Sequence, residues 1–189
     1  MRLERWTPDD LPLMRRLLGD PAMTEHLGGP ESEQKLADRL ERYVEREPTM
    51  FKIVEDGEPL GSVGFWDREW RGEDVFEIGW SVLPEHQGRG VASRGTAMAL
   101  DLAAAMRRRR WLHAFPSVDN AASNALCRTL GFELLGPEEF EYPKGSFMTC
   151  NDWRYDLRDA AAGARGQRAR SRAAPGPARR VRRPASARD

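Results

Sequence analysis

The sequence of 189 residues has few of the residues that build metal centres or disulfide frameworks. Its two cysteines, Cys127 and Cys150, form no Cys-x-x-Cys pair, and its three histidines are scattered. Zinc sites and disulfide-stapled folds need such residues at close, regular spacing. We therefore expect no metal and no disulfide framework, and we expect the histidines at the surface or in packing.

Long apolar segments are missing as well. The most apolar run, 96–106, includes Asp101 and is shorter than the roughly 20 residues that span a bilayer. The first residues, Met-Arg-Leu-Glu-Arg-Trp, are charged and lack the apolar stretch of a signal peptide. These absences predict no membrane association and a cytoplasmic location.

Charge divides the chain into two parts. The sequence holds 30 basic and 30 acidic side chains, but residues 160–189 contain nine arginines and one acid. This segment therefore carries +8 and leaves −8 on the remainder. It has almost no large apolar side chains with which to offset the entropy of ordering. We predict a folded domain over 1–159 and a disordered basic tail over 160–189.

Local signals outline the folded part. Thr7-Pro8 is typical of a helix start, and Asp56-Gly57 is typical of a hairpin turn. On the third helix the spacing of Met98, Leu102 and Met106 predicts the buried side. The strand after this helix should lie parallel to the strand before it. The patterns predict helices over 8–18, 31–47, 92–109 and 120–130, and strands over 3–7, 50–55, 60–66, 75–83, 111–115, 132–140 and 149–157.

A glycine-rich loop links the strand over 75–83 to the third helix. The first N–H groups of a helix lack intrahelical partners and attract anions. Gly88 and Gly90 let the backbone approach a phosphate because neither carries a Cβ, and Arg89 adds positive charge. The sequence does not fit the P-loop, which needs a lysine after its last glycine. Nor does it fit the dinucleotide fingerprint, because Ser93 stands at the last glycine position.

The loop does fit Gln/Arg-x-x-Gly-x-Gly/Ala, with Gln87, Gly90 and Ala92 at the defined positions. In this it resembles the pyrophosphate-binding signature of the GNAT superfamily of N-acetyltransferases. A second segment, Asn120 to Phe132, is similar to the Asn-x-x-Ser-Asn and Leu-Gly-Phe pattern of its ribosomal-protein N-acetyltransferase branch. The resemblance covers roughly 1–158. It implies an α/β (α+β) GNAT fold in the order βααβββαβαββ, in which about four helices flank a central mixed, mostly antiparallel sheet.

The resemblance implies acetyl-CoA as co-substrate. Asn120 and Asn124 would point toward the pantetheine arm, although asparagine is also a good helix N-cap and Asn120 can serve in that role. The residues expected at the cofactor are Val82, Gln87, Gly88, Arg89, Gly90, Val91, Ala92, Ser93, Asn120 and Asn124.

Three residues are candidates for catalysis. The attacking amine must lose a proton, and a carboxylate is a common acceptor, so Glu77 is the expected general base; the alternative is a solvated strand position. Many relatives protonate the departing thiolate with a tyrosine, but this chain has Cys127 there. Ser123 and Cys127 are both candidates for this proton donor, and for Cys127 the alternative is a packing role.

The function implied is transfer of an acetyl group to a primary amine, either a protein N-terminus or a small molecule, directly within a ternary complex. Two other classes stay open: a catalytically weak module that binds acyl-CoA or a protein, and a nucleic-acid-associated protein that acts through the tail. The oligomeric state, monomer or homodimer, is left open. We expect the acceptor to be bordered by loops 20–30 and 140–150, with a set of aromatic residues that has core packing as its alternative: Trp66, Trp70, Trp80, Tyr142 and Trp153.

Overall fold

The computed structural model describes residues 1–141, 145 and 147–158. The order of its elements, βααβββαβαββ, confirms the predicted fold. The predicted tail and Tyr142 lie outside the described residues. The elements are β1 (Arg2–Arg5), α1 (Leu11–Leu18), α2 (Glu33–Glu45), β2 (Met50–Glu55), β3 (Glu58–Trp70), β4 (Glu73–Val82), α3 (Val91–Met106), β5 (Trp111–Ala114), α4 (Ala121–Thr129), β6 (Glu133–Glu141) and β7 (Phe147–Asp156).

The strands form one seven-stranded sheet in the order β1-β2-β3-β4-β5-β7-β6. Among the described strands, β4 and β5 pair in parallel and the remaining neighbours pair antiparallel. The parallel pair follows from the crossover through α3, as predicted. β7 lies between β5 and β6, so the sheet is mixed and mostly antiparallel.

Two tight hairpins set the lengths of the central strands. At the first, Asp56 and Gly57 have φ of 52° and 86°, which is the turn that the sequence predicts. At the second, Arg71 and Gly72 have φ of 53° and 78°. We did not predict this second turn, because arginine is uncommon in the left-handed region. As a result β3 and β4 extend to the turn and are longer than predicted.

The start of the first helical segment follows its sequence signals. The backbone N–H and the hydroxyl of Thr7 both donate to Asp10 Oδ2 over 2.7 Å. Pro8 opens a short 3-10 turn that leads into α1, and Gly19 caps the end of α1. The predicted cap and stop are therefore confirmed.

Helices cover both faces of the sheet. Side chains of α1 and α2 form one apolar cluster, and those of α3 and α4 form another with the inner strands. Adjacent residues of a strand point to opposite faces, so Phe65 belongs to the α3 cluster whereas Trp66 packs against the α1–α2 cluster. Within the described ranges, no helix has the length and apolarity that crossing a bilayer requires.

The predicted buried side of α3 is wrong. Leu102 and Met106 are exposed, and the helix instead buries small residues that include Gly95, Ala99 and Ala103. A Cβ on Gly95 would come within 2.5 Å of the Ile53 side chain. The small residues therefore let the helix lie close to the sheet, and close approach decides which side is buried.

Candidate active site

The sheet opens between β4 and β5. These two strands pair through Phe76–Leu112 and Glu77–His113, and β5 then ends at Ala114 whereas β4 continues to Val82. A cavity of about 690 Å³ lies at this opening. It is lined by residues 78–81 of β4 and by residues 114–117, which follow from β5. The divergence exposes one edge of β4 to a bound molecule.

The glycine-rich loop lies beyond the end of β4. Gly88 and Gly90 have φ of 69° and 72°, a region that favours glycine. Space is open where a Cβ would stand at either position. Gly90 is the N-cap of α3, and the first helical hydrogen bond runs from the Arg94 N–H to the Gly90 carbonyl over 3.0 Å. The N–H groups of 91–93 precede that bond, so this end of α3 can bind an anion.

Several side chains of this loop are engaged with the protein itself. The Gln87 side-chain amide donates to the Val82 carbonyl over 2.9 Å, and Arg89 Nη1 lies 3.3 Å from His86 Nδ1. The side chains of Val82 and Val91 are buried. The Gln87 bond thereby fixes the distance of the loop from β4.

The two asparagines of the α4 segment have structural partners. Asn120 is the N-cap, because its Oδ1 accepts from the Ser123 N–H over 3.0 Å. Asn124 is buried and donates to the carbonyls of Ser117 and Asn120, each over 2.8 Å. Its Oδ1 accepts from the side chains of two β7 residues, Asn151 and Trp153, over 2.8 and 2.9 Å.

These bonds occupy the Asn124 amide within the protein, because it uses both donor hydrogens and two acceptor positions. Asn124 therefore ties α4 to Ser117 and to β7. Its contact with the cofactor stays a prediction. Asn120 lines the cavity beside the half-buried Ser123.

Cys127 is a packing residue in the α3–α4 cluster. It is fully buried and is absent from the cavity wall. Burial raises the pKa of its thiol to about 12. For Cys127 this placement favours the packing alternative over the role of proton donor, whereas Ser123 lies on the cavity wall.

Glu77 lies where β4 and β5 part, on the cavity wall. Its Oε2 accepts from Arg68 Nη1 over 2.5 Å, and 12% of its side chain is exposed. Burial raises the pKa of Glu77, while Arg68 and a hydrogen bond from Trp66 act in the opposite direction; the net direction is upward. A carboxylate of this kind is a stronger base than an exposed one.

The cavity continues toward the opposite helical layer. Both predicted border loops contribute to its wall, through residues 22–27 and through Glu141 and Met148. Two members of the aromatic set, Trp66 and Trp80, line the cavity, whereas Trp153 is a core residue. On the side of α1 and α2 the wall has an apolar part, from Trp6, Met14, Leu17 and Leu18, and a polar part, from Arg39, Arg42, Tyr43 and Glu47.

The glycine-rich loop beyond β4 and the carboxylate at the sheet opening occur together with a match to a known protein family. The acetyltransferase (GNAT) domain family matches residues 1–133 of the chain. The chain belongs to this family. The match includes Glu77, the glycine loop, α3 and α4.

Solved GNAT structures share the fold at low sequence identity. Spermidine N-acetyltransferase from Vibrio cholerae, in complex with CoA and spermine, has a TM-score of 0.71 at 18% identity and covers 85% of this chain and 97% of its own. Ribosomal-protein-alanine N-acetyltransferase from Brucella melitensis has a TM-score of 0.67 at 20% identity, with coverages of 82% and 99%. A phosphinothricin acetyltransferase from Sinorhizobium meliloti, in complex with acetyl-CoA, has a TM-score of 0.67 at 20% identity, with coverages of 82% and 88%.

Sequence reasoning did not predict the polar contacts around Glu77. His113 and Asp152 are buried, and His113 Nδ1 lies 2.6 Å from Asp152 Oδ1. We expected His113 at the surface or in packing, and we did not single out Arg68. Glu77 and His113 are neighbours because they pair across β4 and β5. This contact can be inferred only when the strand register is known.

Proposed function

We propose that the chain transfers the acetyl group of acetyl-CoA to a primary amine, by direct attack within a ternary complex. The observation that carries the proposal is the position of Glu77. It lies on the cavity wall at the opening of β4 from β5, and the glycine loop follows beyond the end of the same strand. β4 thus carries the proposed base and leads into the proposed anion site.

The groups along β4 and at the start of α3 suit a nucleotide thioester. The backbone N–H groups of 91–93 and the open space at Gly88 and Gly90 suit a pyrophosphate. The exposed edge of β4, residues 78–82, suits the amide-containing pantetheine arm, because an extended chain with amides can pair with an open strand edge. In this proposal the side-chain bond of Gln87 positions the binding backbone.

Glu77 accepts the proton of the amine, directly or through a water. A lysine-type amine with a pKa near 10.4 is about 3.4 units, or about 4.6 kcal/mol, from its free base at pH 7. An α-amino group with a pKa near 7.8 is about 1 unit away. The raised pKa of Glu77 narrows the gap in either case, so proton transfer is easier than to an exposed glutamate.

Ser123 is the proposed proton donor to the departing thiolate. It lies on the cavity wall one turn before the buried Cys127, near the end of β5. Its backbone N–H is bound to Asn120, which fixes the first turn of α4. Its hydroxyl is thus carried on a rigid element.

For the acceptor we infer an amine attached to an apolar group, such as a peptide N-terminus or a small molecule. The support is the apolar part of the wall, which is formed by Trp6 and by Met14, Leu17 and Leu18 of α1. A protein N-terminal acceptor is also favoured by the Asn120–Phe132 resemblance to the ribosomal-protein branch, and by the fold shared with the Brucella enzyme.

The test is release of CoA thiol from acetyl-CoA in the presence of α-amino peptides, lysine peptides, aryl-alkyl amines and polyamines. We expect acceptor-dependent release, highest for apolar acceptors with a low amine pKa. The Glu77→Gln variant should bind acetyl-CoA normally and release little thiol. Tight acetyl-CoA binding by the wild type with no release for any amine would instead identify a binding module.

A further inference from the structure

Arg68 is the immediate partner of the proposed base. Its Nη1 donates to Glu77 Oε2 over 2.5 Å, from a side chain that is 29% exposed. The guanidinium carbon lies 5.3 Å from the ring centre of Trp70 and 5.2 Å from that of Phe115. These distances are typical of cation–π contacts, so two aromatic rings and one carboxylate fix the orientation of the guanidinium.

The two rings are themselves anchored by one buried acid. Asp152, which is fully buried, accepts from Trp70 Nε1 over 2.9 Å and pairs with His113 over 2.6 Å. The His113 ring stacks on Phe115, with centroids 5.8 Å apart and planes 18° apart. Trp70 and Phe115 meet edge to face at 4.7 Å. Asp152 thereby holds, through Trp70 and His113, the two surfaces against which Arg68 packs.

Other charged groups near Glu77 are farther from its carboxylate or already partnered. Arg39 and Arg42 of α2 reach the cavity but are bound to Glu31 and Glu47. The remaining titratable groups on the cavity wall are Cys150 on β7, Asp67 on β3, Tyr43 on α2, Glu25 and His26 in the 22–27 loop, and Glu141 on β6. The buried pair of His113 on β5 and Asp152 on β7 is also near Glu77, because His113 pairs with Glu77 in the strand register. Among the residues that the structure describes, Arg68 is the cationic side chain that contacts Glu77 directly.

We propose that Arg68 is a positioning residue for Glu77: it fixes the direction of the carboxylate and holds it in the ionised form that accepts a proton. The inference rests on the proposed function of Glu77 as base. Without a contacting cation, burial would favour the protonated carboxyl, and a protonated Glu77 cannot accept the proton of an amine. The contact therefore balances two needs, because burial strengthens the base while Arg68 keeps it available. The upward pKa of Glu77, with Arg68 acting against burial, is consistent with this balance.

The experiment compares Arg68→Met with Arg68→Lys. In Arg68→Met we expect the acidic limb of the kcat profile to move up by about one pH unit, which is about a tenfold lower rate at a fixed pH on that limb. The KM for acetyl-CoA should change less than twofold. Lysine keeps the charge but cannot form the planar contact with both rings, so Arg68→Lys should shift the limb less.

A direct reading of Glu77 separates this inference from the proposed function. The ¹³C resonance of the Glu77 carboxyl, assigned by its loss in Glu77→Gln, is titrated without acceptor. An upward shift of its pKa in Arg68→Met supports the inference even when no acceptor is known. An unchanged or lowered pKa overturns it, even in a chain that acetylates amines. Absence of amine-dependent release by the wild type overturns the proposed function instead.

Arg15→Met is the matched control. It removes an exposed arginine that pairs with Glu33 over 2.8 Å and is not one of the residues on the cavity wall. It should leave both the kcat profile and the Glu77 titration unchanged. Thermal unfolding of each variant shows whether it is folded, and Arg68→Lys remains informative where Arg68→Met is not. A shift of the Glu77 titration in Arg15→Met as large as that in Arg68→Met would overturn the specific role of Arg68.

Discussion

The two ends of the candidate site differ in the groups that they offer, which are backbone groups at one end and side chains at the other. Around the glycine loop the proposed binding groups are backbone N–H groups at the start of α3, and the Gln87 side chain bonds the loop to β4. Around Glu77 the proposed working groups are side chains contributed by β3, β4, β5 and β7. Backbone sites depend on local conformation, which a short motif encodes, whereas side-chain sites depend on strand register. The first kind can be found in a sequence and the second requires the fold.

The largest expected effect is at the side-chain end. Glu77→Gln keeps the size of the side chain and removes the proton acceptor, so kcat should fall about 10²–10⁴-fold. The wild-type acidic limb should lie above the ordinary pKa of a glutamate, because burial raises the pKa of Glu77, and the variant should lose this limb. Steady-state kinetics from pH 5 to pH 9 measure both. A pH profile equal to that of the wild type would remove Glu77 from the mechanism.

The next prediction concerns the internal hydrogen bonds of Asn124. Asn124→Ala removes four hydrogen bonds and leaves the Trp153 indole N–H buried without its acceptor. We expect a loss of about 3 kcal/mol in the free energy of unfolding, since each buried unsatisfied group costs about 1–3 kcal/mol. Urea unfolding measures it. Asn120→Ala, which removes one N-cap bond, should cost only about 1 kcal/mol; equal costs would contradict the bracing role of Asn124.

A third variant tests the backbone end. Gly90→Val places a β-branched residue at a φ of 72° and fills the space above the loop. We expect acetyl-CoA to bind about 10- to 100-fold more weakly, or about 1.4–2.8 kcal/mol, with an unchanged acidic limb. Calorimetric titration measures the affinity. Gly57→Val, at a φ of 86° in a hairpin with equally open space, carries the same strain and should leave the affinity intact.

The smallest effect distinguishes the two proton-donor candidates. Cys127→Ala should leave kcat and its pH profile unchanged and cost about 1 kcal/mol of stability, because the thiol is buried in the core. Ser123→Ala should lower kcat about tenfold if its hydroxyl protonates the thiolate. Parallel kinetics and urea unfolding of the two variants decide the matter. A larger kcat loss in Cys127→Ala than in Ser123→Ala would reverse the assignment.

Much of the fold was readable because its signals are local. The Thr7 cap, the Asp56-Gly57 turn and the order of elements follow from neighbours in the sequence. The buried side of α3 was not readable, because apolar spacing favoured Met98, Leu102 and Met106 while close packing favours glycine and alanine.

The site divides in the same way. The glycine loop is a local feature, so the sequence predicted its place between β4 and α3. The contacts of the Gln87 and Arg89 side chains within the protein were not predicted. Arg68, His113 and Asp152 come from three different strands, and alternation alone does not show that they share a face with Glu77. The direction of the Asn124 amide depended on β7, which is more than 20 residues farther along the chain.

The narrow contact between β4 and β5 has a mechanical consequence. Two register pairs, Phe76–Leu112 and Glu77–His113, join a four-stranded half of the sheet to a three-stranded half. A junction of two register pairs resists bending less than a full ladder of hydrogen bonds does. Protection of backbone amides from hydrogen exchange should therefore be weakest along residues 78–82 and 114–117. A ligand that lies in the opening and contacts both strands would stiffen the junction between the two halves. We therefore expect acetyl-CoA to increase exchange protection well beyond the residues that it touches.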